Sequence, residues 1–555
     1  MRGAALLVAL AGLATCSGVA SANILKTVDK QQALDRALHH VLQQRRPANA
    51  SSNDSVGAAP GAGRGAKLGE ELSRVQWLRY TQPRLITSVP EHTNEAVTEA
   101  VLTQPLAHED QDSATWQQRY FRCSDSYEAG GPAFVMLSGT ADYQVTGGDW
   151  LREGFMATLA RKYKADRFFL PTRFFSANSH PTADTSVDSL RHLTVENVLL
   201  DVASFLDQLR EAGVLKPQQK VVLFGAGFGG AVAAWARQRF PDVIHGVVAS
   251  SATLEPRLSV PSYFPVVSRA ADWYHKRYHC ADLLQEAFEA LERGLSTADG
   301  RNEFNRAFGP CTPLPETTDG VVSDLDRAHI LGLVASVFAD LVQEDVDGPQ
   351  EPDYPLPGGD LLRPYCVTMF NPSDPPLRML GLLVSYTHPG VCLDTSYSGL
   401  VKALSPSGWS DTANRGGARP WLWLQCTQLG QFPDTTGSTD TFPYSTRITP
   451  DFYINLCRDV FDKTVTKDNL INSISDLNKH YGGLKPDISN AIFVKGDLDP
   501  WRGLSPDTAT GAGVHVFSVL RASHAHDLFP RDDYDPPWMK KTRKAVERLL
   551  AGWLA

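Results

Sequence analysis

The chain has no excess of basic residues. Lys and Arg together number 53 against 62 Asp and Glu, a formal net charge of −9. That balance gives no electrostatic footprint for a nucleic acid or an anionic membrane surface. Cysteine is sparse, 8 in 555 residues, and none falls in a Cys-x-x-Cys pair. A zinc ribbon or a dithiol redox motif is therefore not expected, and no metal or other cofactor is expected at all. Long apolar runs are missing beyond the N-terminal segment. The best internal candidate, 330–342, is short and carries Asp340, so no transmembrane anchor is expected. No internal repeat is present. What remains is ordinary globular composition, 42% hydrophobic and 21% charged. A chain of 555 residues exceeds what one core usually serves, so it implies two domains or one domain with a large insertion.

The N-terminus reads as an address. Arg2 precedes an apolar run from Ala4 to Ala14, and Ala20-Ser21-Ala22 is a small-residue cleavage site. Residues 1–22 are thus a signal peptide and the mature chain starts at Asn23. Cys16 leaves with it, and the seven remaining cysteines are an odd set with one left over. Residues 27–45 have helical composition and 46–67 are low-complexity, so 23–74 is a pro-segment or a linker. Two glycosylation acceptors fall there, Asn49 before Ser51 and Asn53 before Ser55.

From about residue 75 the pattern is globular. Ala133–Leu137 and Arg167–Leu170 read as buried strands, Val198–Leu209 as an amphipathic helix, and Val243–Ala249 as another strand. Strands alternating with helices imply a parallel, doubly wound sheet. The alternation fades over 253–486, where helical patterns such as Ala281–Leu295 and Ala328–Val342 alternate with Pro- and Gly-rich loops. It restarts at Ala491–Val494 and closes on a helix, Thr542–Leu554. The expected fold is an α/β-hydrolase domain, 75–252 with 487–555, interrupted by a helical cap, 253–486.

The fold reading rests on one motif. The apolar run Lys220–Phe224 leads into Gly225-Ala-Gly227-Phe-Gly229-Gly230 and then into an Ala-rich helical run from Ala231. Strand, Gly-rich turn and helix are the setting of a nucleophile elbow, Gly-x-Ser-x-Gly. Its centre is Gly227, which has no side chain and cannot form an acyl-enzyme. The partners a serine would need follow in the expected order. Asp499 sits just past the strand 491–494, and His524 just past the apolar run 514–520. An Asp there would hold the tautomer of a His that accepts the nucleophile's proton.

These landmarks, with Gln117–Phe121, Leu190–Glu196, Phe224–Trp235, Gly246–Ala252, Arg419–Trp423, Cys426-Thr427 and Gly496–Trp501, resemble the prolyl carboxypeptidase family of lysosomal and secreted serine exopeptidases. That family includes dipeptidyl peptidase II and thymus-specific serine protease. The resemblance runs from about residue 100 to the C-terminus. It implies a helical cap between nucleophile and acid, and peptide substrates with proline or another small residue near one end. The family's histidine motif selects His524 over His526. Its cysteine order implies Cys280–Cys366, Cys311–Cys392 and Cys426–Cys457, with Cys123 left over. The departures cluster. The family elbow Gly-Gly-Ser-Tyr-Gly-Gly has Gly227 and Phe228 in place of Ser and Tyr. Its Glu-His-Arg-Tyr-Tyr-Gly is Pro171–Ser176, its Cys-Thr-Glu ends in Gln428, and its Gly-Gly-Glu-Gly is Ser138–Ala141. The expectation is a secretory-pathway homologue, extracellular or lysosomal, that binds such peptides or a protein partner without cleaving them. The alternative is an active peptidase working by an unconventional route. A homodimer is compatible with either.

Overall fold

The computed structural model describes residues 95–555 apart from 111, 141–146, 177–178, 273–279, 345–365, 367–374, 388–391, 437–440 and 531–534. The signal peptide 1–22, the segment 23–74 and the acceptors Asn49 and Asn53 lie outside the described residues, as does the start of the 75–252 stretch.

Eight strands form one sheet in the order β1-β2-β4-β3-β5-β6-β9-β10. They are β1 (Thr98–Pro105), β2 (Thr115–Cys123), β3 (Ala133–Leu137), β4 (Asp166–Leu170), β5 (Val221–Ala226), β6 (Gly246–Ser250), β9 (Ala491–Gly496) and β10 (Val514–Val519). From β4 to β10 every pairing is parallel. β1 and β2 add an antiparallel edge. This is the α/β-hydrolase sheet, with three ββ neighbours that are not consecutive in sequence, so helices must cross over the faces. The physical reason is visible strand by strand. β3, β4, β5, β6 and β9 are buried at every residue, because helices cover both faces of a parallel sheet. Their sequences are accordingly dominated by apolar residues, with Asp166 and Arg167 opening β4 and Lys495 near the end of β9 as buried exceptions. β1 and β2 alternate buried and exposed residues and carry Thr, Gln and Arg on the open side, which hides them in a hydropathy reading.

Five helices matter for the site: α1 (Val195–Glu211), α2 (Gly227–Arg239), α3 (Asp324–Glu344), α4 (Lys467–Tyr481) and α5 (Pro537–Leu554). α1 starts where Thr194 accepts a hydrogen bond from the Asn197 amide, a side-chain cap that satisfies an orphan N–H. α2 begins at Gly227, four residues before the Ala-rich run in which a helix was expected. The glycines there serve close packing more than turning. A Cβ on Gly229 would meet the Leu137 and Ser138 carbonyl oxygens at 2.8 and 2.9 Å, and one on Gly225 the Gly229 carbonyl oxygen at 2.3 Å. α2 can therefore settle on the sheet only with Gly at these positions.

Between β6 and β9 the described chain is mainly helical, with one small parallel sheet of β7 (Arg257–Val260) and β8 (Gly430–Pro433). Its own apolar cluster includes Phe288, Phe338, Phe442 and Leu456, separate from the cluster around the large sheet. Three disulfides cross this region, Cys280–Cys366, Cys311–Cys392 and Cys426–Cys457. Cys123 is a buried free thiol at the end of β2. No helix of the described residues is long and apolar enough to cross a membrane.

One buried ion cluster ties the antiparallel edge to the rest. The Arg173 guanidinium donates to both oxygens of Asp201 at 2.7 and 2.6 Å. It also donates to the carbonyls of Leu106, His192 and Pro105. His108 Nε2 lies 2.8 Å from Asp201 Oδ1. Arg173 and Asp201 are 0% and 3% exposed, so the pair is desolvated and its hydrogen bonds are what make the burial tolerable.

Candidate active site

The C-terminal edge of the parallel sheet gathers the three residues singled out from the sequence. Gly227 follows β5 and starts α2. Asp499 follows β9, and His524 follows β10. Such an edge, outside the carboxyl ends of the strands, is where ligands meet open α/β sheets.

His524 and Asp499 meet directly. The ring Nδ1 lies 2.9 Å from Asp499 Oδ1, with side chains 1% and 0% exposed. Asp499 Oδ1 also accepts from the Trp501 amide at 3.0 Å, so the carboxylate is held as it holds the ring. The loop carrying His524 crosses the end of β9. A Cβ on Gly496 would lie 2.0 Å from the Ala522 carbonyl oxygen and 2.5 Å from that of Ser523, so only glycine lets the loop pass so close. The loop then reaches β6, where the Ala525 amide donates to Ser251 Oγ at 2.9 Å. Ser251 has φ +47°, an uncommon backbone for a non-glycine. Ser251 follows Ser250, whose register partner on β5 is Ala226, the residue before Gly227. The Gly227 carbonyl in turn accepts from the Thr253 amide at 3.3 Å. β6 is thus the strut between the Gly227 turn and the His524 loop.

α3 braces the same edge. Gln343 Oε1 accepts from Trp501 Nε1 at 2.9 Å. Its carbonyl accepts from the His524 amide at 3.4 Å. Sequence reading missed Ser251, Gln343 and Trp501 as site supports. Only the Pro500-Trp501 landmark pointed toward one of them, since side chains that support through long-range contacts leave no spacing signal.

The segments that differ from the family pattern are occupied structurally. Ser138 Oγ accepts from the Thr172 amide at 2.8 Å, and Thr172 Oγ1 donates to the Ser138 carbonyl at 2.9 Å. Gln428 Oε1 accepts from the Val195 amide at 2.7 Å, a second cap on α1. Phe228 packs against Trp421 with ring centroids 5.7 Å apart. Among the described residues no cluster of His, Cys, Asp and Glu has the makings of a metal site.

His526 and Asp527, next along the loop, are fully buried and take no part in the His524–Asp499 pair. Asp527 accepts from Ser250 Oγ. Arg543 on α5 donates to the carbonyls of His526 and Asp527. Burial pushes His526 down to about 3, with Arg543 adding to the effect. Burial pushes Asp527 up to about 6 against the opposing Ser250 hydrogen bond and Arg543. The two have opposite consequences. His526, lowered from 6.5, contributes stability that is lost as pH falls from its ordinary value toward its folded one. Asp527, raised from 3.8, contributes stability present in acid and lost as pH rises through about 6. Between about pH 4 and 6 the native pair holds one proton on Asp527, and the unfolded pair holds one on His526, so their slopes cancel. Asp527→Asn removes one side of that balance. Its stability relative to wild type should fall by about 1 kcal/mol per pH unit on acidifying from 6 to 4. Urea unfolding at pH 4, 5 and 6 reads this directly, and parallel pH profiles would refute it.

With this geometry in place, likenesses to known proteins can be weighed. The family model of serine carboxypeptidase S28 matches residues 104–546. The thymus-specific serine protease of Mus musculus is 27% identical over 448 residues, covering 80% of this chain and 84% of that protein. The lysosomal Pro-X carboxypeptidase of Homo sapiens is 25% identical over 455 residues, covering 79% of this chain and 84% of that protein. Among solved structures, a proline iminopeptidase of Mycobacterium smegmatis shares 11% identity over 82% of this chain and 99% of that one, with a TM-score of 0.34.

Proposed function

Because the chain belongs to the serine carboxypeptidase S28 family, whose members are serine exopeptidases acting on proline-containing substrates, we propose that it is a secretory-pathway member that binds such peptides, or a protein partner, without cleaving them. The observation that carries the reading is Gly227 at the centre of the strand–turn–helix elbow. Acyl transfer in this family type needs an alkoxide from a side chain at that point, and glycine offers none. Loss of a triad nucleophile costs about 10⁶ in turnover, leaving only what binding and oxyanion stabilisation supply. Residues 138, 172 and 428 support the reading, because their side chains are engaged in backbone hydrogen bonds of the fold. Three disulfides fit an oxidising compartment, lysosomal or extracellular.

A second reading has its own support. The hydrogen-bonded His524–Asp499 pair is a general-base pair, and a water molecule could take the place of the serine hydroxyl. One measurement separates the two. Purified protein should stay unlabelled by a fluorophosphonate and release no product from proline-containing peptides, while calorimetry registers binding of those peptides. Robust cleavage by wild type that His524→Ala abolishes would replace the first reading with the second.

A further inference from the structure

Four features of the Gly227 edge converge on one ligand chemistry. The first is α2 itself. Its 13 residues start at Gly227 with no side-chain cap and no acidic residue in the first turn. The amides of a first helical turn have no partner within the helix, and the helix dipole adds partial positive charge there. The second is His524. Its Nε2 is buried without a protein partner, whereas Nδ1 is committed to Asp499. Asp499 stands just past the end of β9, and the loop carrying His524 crosses β9 to reach Ser251, just past β6. The ring nitrogen opposite Nδ1 therefore faces away from Asp499. The third is Thr253, 4% exposed, whose amide bonds the Gly227 carbonyl and whose Oγ1 has no protein partner. The fourth is Thr140, 1% exposed, whose Oγ1 is likewise unpartnered. It adjoins Gly139, where a Cβ would lie 3.6 Å from the Gly229 amide nitrogen.

Buried polar atoms are nearly always hydrogen-bonded, so three orphans on segments that flank Gly227 call for a polar occupant. Gly227 itself puts no side chain at the start of α2. The surroundings offer donors: helix amides and two hydroxyls that can donate, beside an imidazole held by Asp499. A group with two acceptor oxygens and a negative charge suits that set, and an uncharged amide, with its N–H₂, suits it poorly.

We infer that the Gly227 niche is a receptor for a terminal carboxylate, so that the protein holds peptides ending in a free carboxyl group, as a cleavage product does, in preference to peptides with a bond still to be cut. The inference deepens the peptide-binding reading and rests on it. Carboxylate oxygens accept from the α2 first turn and from the Thr140 and Thr253 hydroxyls, beside the His524 ring that Asp499 holds in place. Serine at 227 would place an oxygen with its own lone pairs at the start of α2.

The test is calorimetry on the full-length protein with N-acetyl-alanyl-proline as free acid and as its amide. The acid should bind at least about tenfold tighter, since a charge-assisted hydrogen bond contributes about 1.5–3 kcal/mol. Gly227→Ala, which adds a methyl group at the start of α2 without adding a nucleophile, should lower the acid's affinity to that of the amide. Thr253→Val, which keeps the shape and removes one hydroxyl, should weaken the acid severalfold and leave the amide unchanged. Equal affinity of wild type for acid and amide, or no binding of the acid at millimolar concentration, would overturn the inference. Turnover of peptides by wild type would instead sink the non-catalytic reading, and the acid–amide comparison on the same protein would still decide this one.

Discussion

Gly227→Ser should turn a protein that is inert to fluorophosphonates into one that labels at residue 227, while peptide turnover stays low. The new hydroxyl would stand at the end of β5, on the sheet edge that also carries His524 and its partner Asp499. The orphaned Nε2 of His524 is the atom that would accept its proton. The gain in reactivity has a cost in stability. Gly227 has φ +53°, a left-handed backbone that L side chains adopt only under strain of about 1–3 kcal/mol. The variant should therefore unfold at a lower urea concentration than wild type, with an unchanged m value. Turnover should remain at least about 10²-fold below that of a serine-bearing family enzyme, the typical effect of losing one oxyanion donor. The reason lies in residues 138, 172 and 428, whose side chains bond the backbone in place of the family's residues. Adding His524→Ala to Gly227→Ser should remove the label. A folded Gly227→Ser protein that does not label would show that residue 227 and His524 do not face one another, and the candidate site would fall.

The largest loss of stability should come from Asp201→Ala. The carboxylate answers a guanidinium that is 0% exposed. Removing it leaves a buried positive charge against the Leu106, His192 and Pro105 carbonyls and the Trp116 ring, with no carboxylate to answer it. Breaking a buried pair from one side costs about 3–5 kcal/mol, much of it the penalty on the partner left behind. The double change Asp201→Leu with Arg173→Met removes both charges and should recover a good part of that loss. Glu99→Ala supplies the contrast. Glu99 pairs with Arg119 on the antiparallel edge and is 45% exposed, so its removal should cost under about 1 kcal/mol. Equilibrium urea unfolding of the three variants measures all of this. If Asp201→Ala costs no more than Glu99→Ala, the cluster does not hold the edge as described.

Much of the fold was legible because burial on both faces writes itself into the chain. β3 is an uninterrupted apolar run, β4 and β9 each hold a shorter one (168–170 and 491–494), and the ends read from the sequence fall within a residue or two of the structural ones. β1 and β2 were not legible as strands. One face of each is open, so Thr, Gln and Arg interrupt the apolar pattern. The start of α2 was placed too late, since a run of glycine reads locally as a turn. The helix can start there because these positions are glycine: a Cβ at 229 would strike the Leu137 and Ser138 carbonyls, and one at 225 the Gly229 carbonyl. Of the candidate site, Asp499 and His524 were recognisable by order and by position after strands. Ser251, Gln343 and the hydroxyls of Thr140 and Thr253 were not, because each acts across more than 70 residues of chain or has no partner at all.

The sequence by itself determined what local chemistry can determine. It established an acidic chain without a basic patch, a parallel sheet interrupted by a long helical insertion, and a glycine where the elbow calls for serine. Those properties belong to residue types and their short-range order, and they do not depend on how the chain closes. Only the tertiary structure decided that His524 bonds Asp499 through Nδ1 and leaves Nε2 buried and unpartnered. It alone set Ser251 between the Gly227 turn and the His524 loop, and made Arg173 with Asp201 a desolvated cluster. These are contacts between segments far apart in the chain. Hydrogen-bond geometry and burial arise where such segments meet, and no spacing within either segment encodes them.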